Sequence, residues 1–173
     1  MLAFGMAESE SLTDVEWDQP EPSPFWDPDI QAIFAYWRSI APPGKLPGPQ
    51  HLHPVAIAEL LPGIWILDVQ REPFRLRYRE VGARVVHGIG RDVTGRWLDE
   101  AHPDIGTQPA YLERYRRVVE TGIPSWRRGP PRLSIRLDFN VIENIVLPFA
   151  TDGETVDMLL VLTAFHSGQP SEE

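Results

Sequence analysis

The sequence from residue 63 to residue 81 is GIWILDVQREPFRLRYREV, and it decides the fold class. Residues 63–69 are apolar on both faces apart from Asp68, which predicts an inner strand. The tetrapeptide QREP that follows predicts a turn. Over residues 74–81 apolar side chains alternate with arginines, which predicts a strand with one buried and one exposed face. The stretch therefore predicts two strands joined by a short turn.

Three more strands are predicted toward the C-terminus. Apolar and polar residues alternate over residues 133–139 and again over residues 144–149, and residues 155–165 form a long apolar segment. Asp152-Gly153 is a hairpin signal between the last two segments. Residues 82–121 predict short helices followed by a longer one. Two strands, a helical segment and three strands predict an α+β domain with an antiparallel sheet covered by helices on one face.

An amphipathic helix is predicted before the strands, because apolar residues recur at i, i+3, i+4, i+7 and i+10 from Ile30 to Ile40. Its apolar face is wide enough to pack on a second copy of the chain. Large aromatic side chains dominate such contacts, so Ile33, Phe34 and Trp37 are the candidate dimer-interface residues. Packing of the same face on the chain's own sheet is the alternative.

Charge is unevenly distributed along the chain. The net charge is −9, and residues 1–29 contain eight acidic groups and no basic one, so the remainder carries 16 − 17 = −1. Residues 1–28 are polar, acidic and rich in proline, which predicts a flexible leader. One hypothesis places the acidic groups of this leader over the arginine row of the second strand, Arg75, Arg77 and Arg79.

Composition also excludes several classes of function. A nearly neutral body lacks the positive field that nucleic-acid binding requires. The longest apolar run, residues 158–165, is far shorter than the ~20 residues of a bilayer-spanning helix. The chain has no cysteine, which excludes disulfides and thiolate metal sites. We therefore predict a cytoplasmic protein without nucleic acid or membrane as partners.

No motif predicts catalysis, a metal or a particular cofactor. His51 and His53 have the spacing of a metal pair, but they lie in a proline-flanked loop without an obvious third ligand, so no metal site is predicted. The segment GRDVTGR at residues 90–96 lacks the spacing and the lysine of a phosphate loop. It is predicted to be a structural turn in which Asp92 bonds backbone amides and Gly95 adopts a positive φ.

The order of elements and several local motifs resemble the small bacterial proteins that consist of a single PAS-like domain behind an amphipathic helix. The resemblance covers roughly residues 30–165. The motifs that carry it are YW at 36–37, LP at 46–47, Pro54, LLP at 60–62, WILDV at 65–69, FRLRYR at 74–79, Gly82, GRDVTGR at 90–96, LP at 147–148 and DG at 152–153.

The resemblance implies a five-stranded antiparallel sheet in spatial order 2-1-5-4-3, with residues 74–81 and 133–139 at the two edges. Composition and the resemblance together predict four segments: the leader at 1–28, a helical extension at 29–62, the PAS-like domain at 63–166 and a tail at 167–173. One core is expected to contain the inward-facing strand residues Phe74, Leu76, Tyr78, Ile135, Leu137, Ile145, Leu147, Met158 and Leu160.

The function that the resemblance implies is sensory, with a small organic ligand bound between the sheet and the helices. The candidate pocket residues are Tyr78, His87, Trp97 and Tyr115, with simple core filling as the alternative. Some PAS proteins hold haem through a histidine of their helical region, but the position of His102 favours a loop or cap role. A protein partner or a homodimer is expected to receive the signal.

Two other functions are compatible with the sequence. One is a small α+β enzyme similar to ketosteroid isomerase, whose pocket acid would be Asp68 or Asp99 beside Tyr78. The other is a scaffold that binds no ligand. The order of the elements favours the sensory module, because two strands precede the main helical segment.

Overall fold

The computed structural model describes residues 14–18, 20–133 and 140–166 of the chain. The strands are β1 (Val15–Asp18), β2 (Ile64–Gln70), β3 (Arg75–Val81), β4 (Ser125–Gly129), β5 (Val141–Phe149) and β6 (Met158–His166). The helices are α1 (Pro28–Ile40), α2 (Ala83–Ile89), α3 (Leu98–Ala101) and α4 (Pro109–Thr121). Short 3₁₀ turns lie at Pro49–His51, Pro54–Ile57, Leu61–Gly63 and Pro103–Thr107.

The strands form one antiparallel sheet in the order β1-β4-β5-β6-β2-β3. The α+β class and the antiparallel sheet are therefore confirmed. The prediction of five strands in the order 2-1-5-4-3 is wrong, because a sixth strand adds to one edge. This strand, β1, comes from the segment that was expected to be a flexible leader. Trp17 of β1 is the cross-strand partner of Trp126 in β4, and the two ring centroids are 4.6 Å apart.

Strand β4 lies at a place that the sequence did not predict. Its residues, SWRRG, contain a single large apolar side chain, so the alternating pattern that marks a half-buried strand is missing. The strand predicted at residues 133–139 falls outside the described residues except for Leu133, which lies in a bend.

Helices cover both faces of the sheet, not one. Strand side chains alternate between the faces, so the core is divided in two. Helix α1 packs on one face, the α1 face, with the strand residues Ile64, Ile66, Ile145, Leu147, Met158, Leu160 and Leu162. Helices α2, α3 and α4 pack on the other, the pocket face, with the strand residues Trp65, Leu67, Leu76, Tyr78, Val146, Leu159 and Val161.

The division into two cores corrects the expected single core. Leu147 pairs with Leu160, which pairs with Ile66, and this cross-strand row belongs to the α1 face. Tyr78 pairs with Leu67 on the pocket face. Ile145, Leu147, Met158 and Leu160 are therefore separated by the sheet from Leu76 and Tyr78. Ile135 and Leu137 lie outside the described residues.

Helix α1 begins where Asp27 caps it, with Asp27 Oδ1 accepting a hydrogen bond from the Asp29 backbone N–H at 2.8 Å. Its apolar face packs on the sheet of the same chain: Ile33 is 0% exposed and Phe34 is 5% exposed. The Trp37 indole Nε1–H donates to the Pro148 carbonyl at 2.9 Å. These contacts support the alternative, in which the apolar face packs on the chain's own sheet. The assignment of Ile33, Phe34 and Trp37 to a dimer interface stays a prediction.

No helix in the described ranges is both long and apolar enough to cross a bilayer.

Candidate ligand-binding site

A cavity lies on the pocket face, between the sheet and helices α2 and α4. Its volume is about 40 Å³, which corresponds to about three water-sized positions. Its apolar and aromatic lining consists of Trp65, Tyr78, Val85, Ile89, Tyr111, Pro131, Leu133, Ile142 and Phe165. Its polar lining consists of Arg114, Arg127, Arg132, Asn144 and Thr163. Arg132 and Leu133 are partly exposed, so this end of the cavity lies next to the protein surface.

A polar row crosses the sheet beneath the cavity. Arg127 of β4 is the cross-strand partner of Asn144 in β5, and Asn144 is the partner of Thr163 in β6. Directly paired residues of antiparallel strands face the same side, so the three side chains line one face. The Trp65 indole Nε1–H donates to Thr163 Oγ1 at 2.9 Å, which holds this tryptophan at the end of the row.

Arg114 of helix α4 lies over the same row and is 3% exposed. Its Nη1 donates to Asn144 Oδ1 at 2.7 Å, and its Nε and Nη2 donate to the hydroxyl and the backbone carbonyl of Ser125 at 2.8 and 3.0 Å. Burial lowers the pKa of the Arg114 guanidinium, because removal from water disfavours the charged form. The helix thus places a buried cation at the polar end of the cavity.

Tyr78 is joined to His102 by a short hydrogen bond, with 2.7 Å between the hydroxyl oxygen and Nε2. Burial, followed by the positive charge of Arg91, lowers the pKa of His102 to about 4, so the imidazole is neutral near pH 7. Burial also raises the pKa of the Tyr78 hydroxyl. The pair is therefore an uncharged hydrogen-bonded unit next to the cavity.

The segment at residues 90–96 holds Tyr78 in place through its backbone. Gly95 adopts φ +82°, and its N–H donates to the Tyr78 carbonyl at 2.7 Å. The Tyr78 N–H donates to the Arg96 carbonyl at 2.9 Å. Asp92 Oδ1 accepts hydrogen bonds from the N–H and the hydroxyl of Thr94 at 3.0 and 2.6 Å. The predicted structural turn is confirmed, and it positions a residue of the cavity lining.

Comparison with protein-family models matches residues 27–163 to a family described as PAS domain. The chain belongs to the PAS domain family. No curated protein matches the chain, and no solved structure matches it. The matched range includes α1 and strands β2–β5, whereas β1 lies before it. The placement of α1 in a separate extension and the division of the PAS domain at residue 63 stay predictions.

The structure places the four predicted pocket residues of this PAS domain in different surroundings. Tyr78 lines the cavity. Tyr115 is 1% exposed and lies behind the lining, where its ring centroid is 6.2 Å from that of Trp65. His87 is exposed on α2. Trp97 lies against β3, with the Arg75 guanidinium carbon 4.2 Å from its ring centroid. Tyr78 is thus the one predicted pocket residue among the cavity-lining residues.

All five polar lining residues were missed, although the sequence contains a signal for three of them. Asn144 and Thr163 lie within two mainly apolar strands, on the face that carries apolar side chains, and were assigned to no site. Arg114 comes three residues after Tyr111 and four before Val118, which places it on the buried stripe of α4. A polar residue in such a position needs a buried hydrogen-bond partner, and that requirement is the signal.

The two acids proposed for an enzyme pocket lie elsewhere. Asp68 Oδ1 is 2.5 Å from Arg79 Nη2, and both side chains are partly exposed. Asp99 accepts two hydrogen bonds from Arg75 at 2.8 and 2.9 Å, which lower the pKa of the Asp99 carboxyl. Neither carboxylate is a hydrogen-bond partner of Tyr78, whose hydroxyl bonds with His102.

The acidic groups of β1, and Asp14 directly before it, contact arginines around the cavity end. Asp14 accepts from Arg127 Nε at 2.8 Å and from Arg132 Nη2 at 3.2 Å. Glu16 pairs with Arg132 at 3.1 Å and with Arg117 at 2.5 Å. The hypothesis that the leader covers Arg75, Arg77 and Arg79 is wrong for these described acids, because β1 and β3 are at opposite edges of the sheet.

One group of metal-ligating residue types lies on the α1 face: Asp27, Glu143 and His166, whose ligand atoms are within 4.8 Å of one another. The Glu143 carboxylate accepts hydrogen bonds from the Trp126 indole at 3.0 Å and from the Asp27 backbone N–H at 3.0 and 3.1 Å. These hydrogen bonds account for the buried carboxylate without an ion, and we assign no metal to the group. In the His51 and His53 pair of the sequence analysis, the His51 Nδ1 atom accepts a hydrogen bond from the Gly48 N–H at 2.9 Å.

Proposed function

We propose that this PAS domain is a non-enzymatic sensory module of bacterial signal transduction that acts in the cytoplasm. Its signal is a small organic ligand bound in the cavity between the sheet and helices α2 and α4. The observation that carries the proposal is the lining of this cavity, in which aromatic and aliphatic walls enclose a few converging polar groups. Small-molecule sites have this composition.

The cavity volume restricts the ligand. Pockets for drug-sized molecules have volumes of about 300–1,000 Å³, whereas this cavity measures about 40 Å³. A ligand that fits here has a handful of non-hydrogen atoms. A haem or a flavin is far larger than that.

A protein partner, or a second copy of the chain, receives the signal. Strand β1 is suited to this role because it is at a sheet edge. Its Glu16 contacts Arg132 of the cavity lining, and Asp14 directly before it contacts Arg127 and Arg132. Trp17 of β1 is 43% exposed and Phe25 is 91% exposed, which offers large aromatic side chains to a partner.

An enzyme similar to ketosteroid isomerase is the alternative in another class. The ion pairs of Asp68 with Arg79 and of Asp99 with Arg75 weigh against it, because a general base must reach the substrate in the pocket. A ligand-free scaffold is the second alternative, and a binding experiment separates it from the sensor.

The experiment is a screen of small organic compounds by thermal shift and native mass spectrometry, with Ile142→Phe as the test variant. Ile142 lines the cavity, so the larger ring fills the space and is expected to abolish ligand binding. Val141→Phe is the matched control, because the adjacent strand residue faces the opposite side and keeps wild-type binding. Equal binding to both variants, or no binding of any compound to the wild type, would contradict the proposed function.

A further inference from the structure

The polar end of the cavity has one more cation than it has acids in the part of the chain that the structure describes. Arg114, Arg127 and Arg132 line this end, and the ion pairs around it add one more arginine, Arg117, and three acids, Asp14, Glu16 and Asp18. The sum is 4 − 3 = +1. Each acid pairs with Arg117, Arg127 or Arg132 at 2.5 to 3.2 Å.

Arg114 is the arginine that this set leaves uncompensated. Its hydrogen-bond acceptors, Ser125 and Asn144, are neutral. Glu16 is the acid whose charge acts on Arg114, but its carboxylate is bonded to Arg117 and Arg132. Among the described residues, therefore, no carboxylate forms an ion pair with the buried guanidinium.

A buried cation without a counter-ion is strongly unfavourable. Arginine cannot avoid this by losing its proton, because its pKa is too high for deprotonation in proteins. The guanidinium has five N–H groups, and Ser125 and Asn144 accept from three of its nitrogens. The guanidinium thus has more N–H groups than the three hydrogen bonds named here, and it lines the same cavity as the apolar side chains of Ile142 and Phe165.

We infer that the ligand is a short-chain carboxylate whose charged group binds Arg114 and whose alkyl part lies against Ile142 and Phe165. This inference rests on the proposed function, because it assigns a chemical class to the ligand of the same cavity. Carboxylates match the planar donor geometry of a guanidinium, and charge-assisted hydrogen bonds are the stronger kind. The small volume limits the chain to a few carbon atoms.

The test uses the full chain and two matched series of probes, acetate, propionate and butyrate against acetamide and propionamide. Calorimetry measures affinity, and nuclear magnetic resonance follows the Nε–H signal of Arg114, which is assigned by its loss in Arg114→Gln. The carboxylates are expected to bind and to shift this signal, with the amides weaker by about tenfold or more. Arg114→Gln is expected to weaken carboxylate binding about tenfold or more, whereas Arg128→Gln, at an exposed position of β4, leaves it unchanged.

A second variant keeps the test decisive if Arg114→Gln fails to fold. Asn144→Asp places a carboxylate where the Oδ1 atom already accepts from Arg114 Nη1 at 2.7 Å. This internal counter-ion is expected to raise the melting temperature and to weaken acetate and propionate binding about tenfold or more. Undiminished carboxylate binding in this variant would overturn the inference.

The remaining outcomes distinguish the two proposals. If the amides bind as tightly as the carboxylates, or if neutral compounds from the screen bind in a manner that Ile142→Phe blocks and Arg114→Gln does not, the carboxylate inference fails and the proposed function stands. If chloride shifts the Arg114 signal as strongly as acetate does, the site binds inorganic anions and the inference fails. If no compound of any class binds, both proposals fail.

Discussion

Tyr78 and His102 show how burial sets the protonation state of individual side chains in this PAS domain. Both residues are at most 3% exposed, and their mutual hydrogen bond satisfies a polar atom of each. Arg91 lies next to the pair, with its guanidinium donating to the Ala101 carbonyl. Desolvation and this positive charge both disfavour an imidazolium.

The pH dependence of stability follows from this pair. The pKa of His102 is about 4 in the folded protein and about 6.5 when unfolded, so the unfolded chain binds more protons between these values. The contribution of the neutral, buried His102 to the free energy of unfolding is fully present above about pH 6.5. It decreases by at most about 3 kcal/mol as the pH falls toward 4. Urea denaturation at about pH 7.5 and pH 5 measures it.

His102→Gln removes this titrating group, so its stability is expected to decrease less on acidification than that of the wild type. His87→Gln, at an exposed position on α2, is the control and is expected to follow the wild type. Parallel stability curves for the wild type and His102→Gln would contradict the assignment of a neutral, buried His102.

Strand β1 shows how an element forms from a sequence with little hydrophobic pattern. Its residues are VEWD, within the acidic leader. The alternating acids reach the arginines of β4 and α4, and Trp17 packs on Trp126. Such a strand forms only against its partner strand. An isolated short segment in water gains too little free energy from its contacts to offset the conformational entropy lost on ordering.

The ion pairs of Asp14, directly before β1, and of Asp18 in β1 are expected to contribute unequally to stability. Asp14 pairs with Arg127, whose side chain is 2% exposed, so Asp14→Asn leaves a buried cation poorly compensated and is expected to lower the free energy of unfolding by about 1–3 kcal/mol. Asp18→Asn is the control, because its partner Arg117 is 36% exposed, and the expected loss is about 0–1 kcal/mol. Denaturant titration measures both.

The contribution of the Asp14 ion pair to stability also depends on pH. Burial opposes ionisation, but hydrogen bonds and charge from Arg127 and then Arg132 prevail and lower the pKa of the Asp14 carboxyl. Its contribution is therefore present above about pH 4, the pKa of an unfolded aspartate, and is lost as the pH falls below that value. Equal losses for Asp14→Asn and Asp18→Asn at neutral pH would refute the role assigned to Arg127.

At the scale of the whole molecule, the sheet separates two cores with different roles. The α1 face is closed by aromatic and aliphatic side chains, including Trp26, which stacks on Trp126 with 5.8 Å between ring centroids. The pocket face contains the cavity and the buried Arg114. Changes on the α1 face are therefore expected to alter stability without altering the ligand site.

Ile33→Ala tests this separation and the position of α1. Ile33 is 0% exposed against the sheet, so truncation is expected to lower the free energy of unfolding by about 2–4 kcal/mol through loss of contacts and a residual cavity. The elution volume in size-exclusion chromatography is expected to stay that of the wild type. Val55→Ala, at a side chain that is 91% exposed, is the control and is expected to change stability by less than about 0.5 kcal/mol. A changed elution volume with unchanged stability would instead place Ile33 at an interface between copies.

The sequence by itself determined the α+β class, the two-strand segment at residues 63–81, helix α1, the turn at residues 90–96 and the burial of Tyr78. These features follow from local patterns: alternation on strands, helical spacing of apolar residues, and the turn preferences of Asp and Gly. Periodicity shows which face of a strand or helix carries each side chain, and this information is sufficient to predict such local features.

The tertiary structure alone decided which face each strand shares with its neighbours, the sixth strand, and the meeting of Arg114, Asn144 and Thr163. Arg114 and Asn144 are 30 residues apart in the chain, and β1 pairs with a strand more than 100 residues away. Local sequence cannot specify such pairs, because strand register and helix placement arise from packing of the whole chain. The burial of the Arg114 guanidinium at the cavity arises when those distant segments come together.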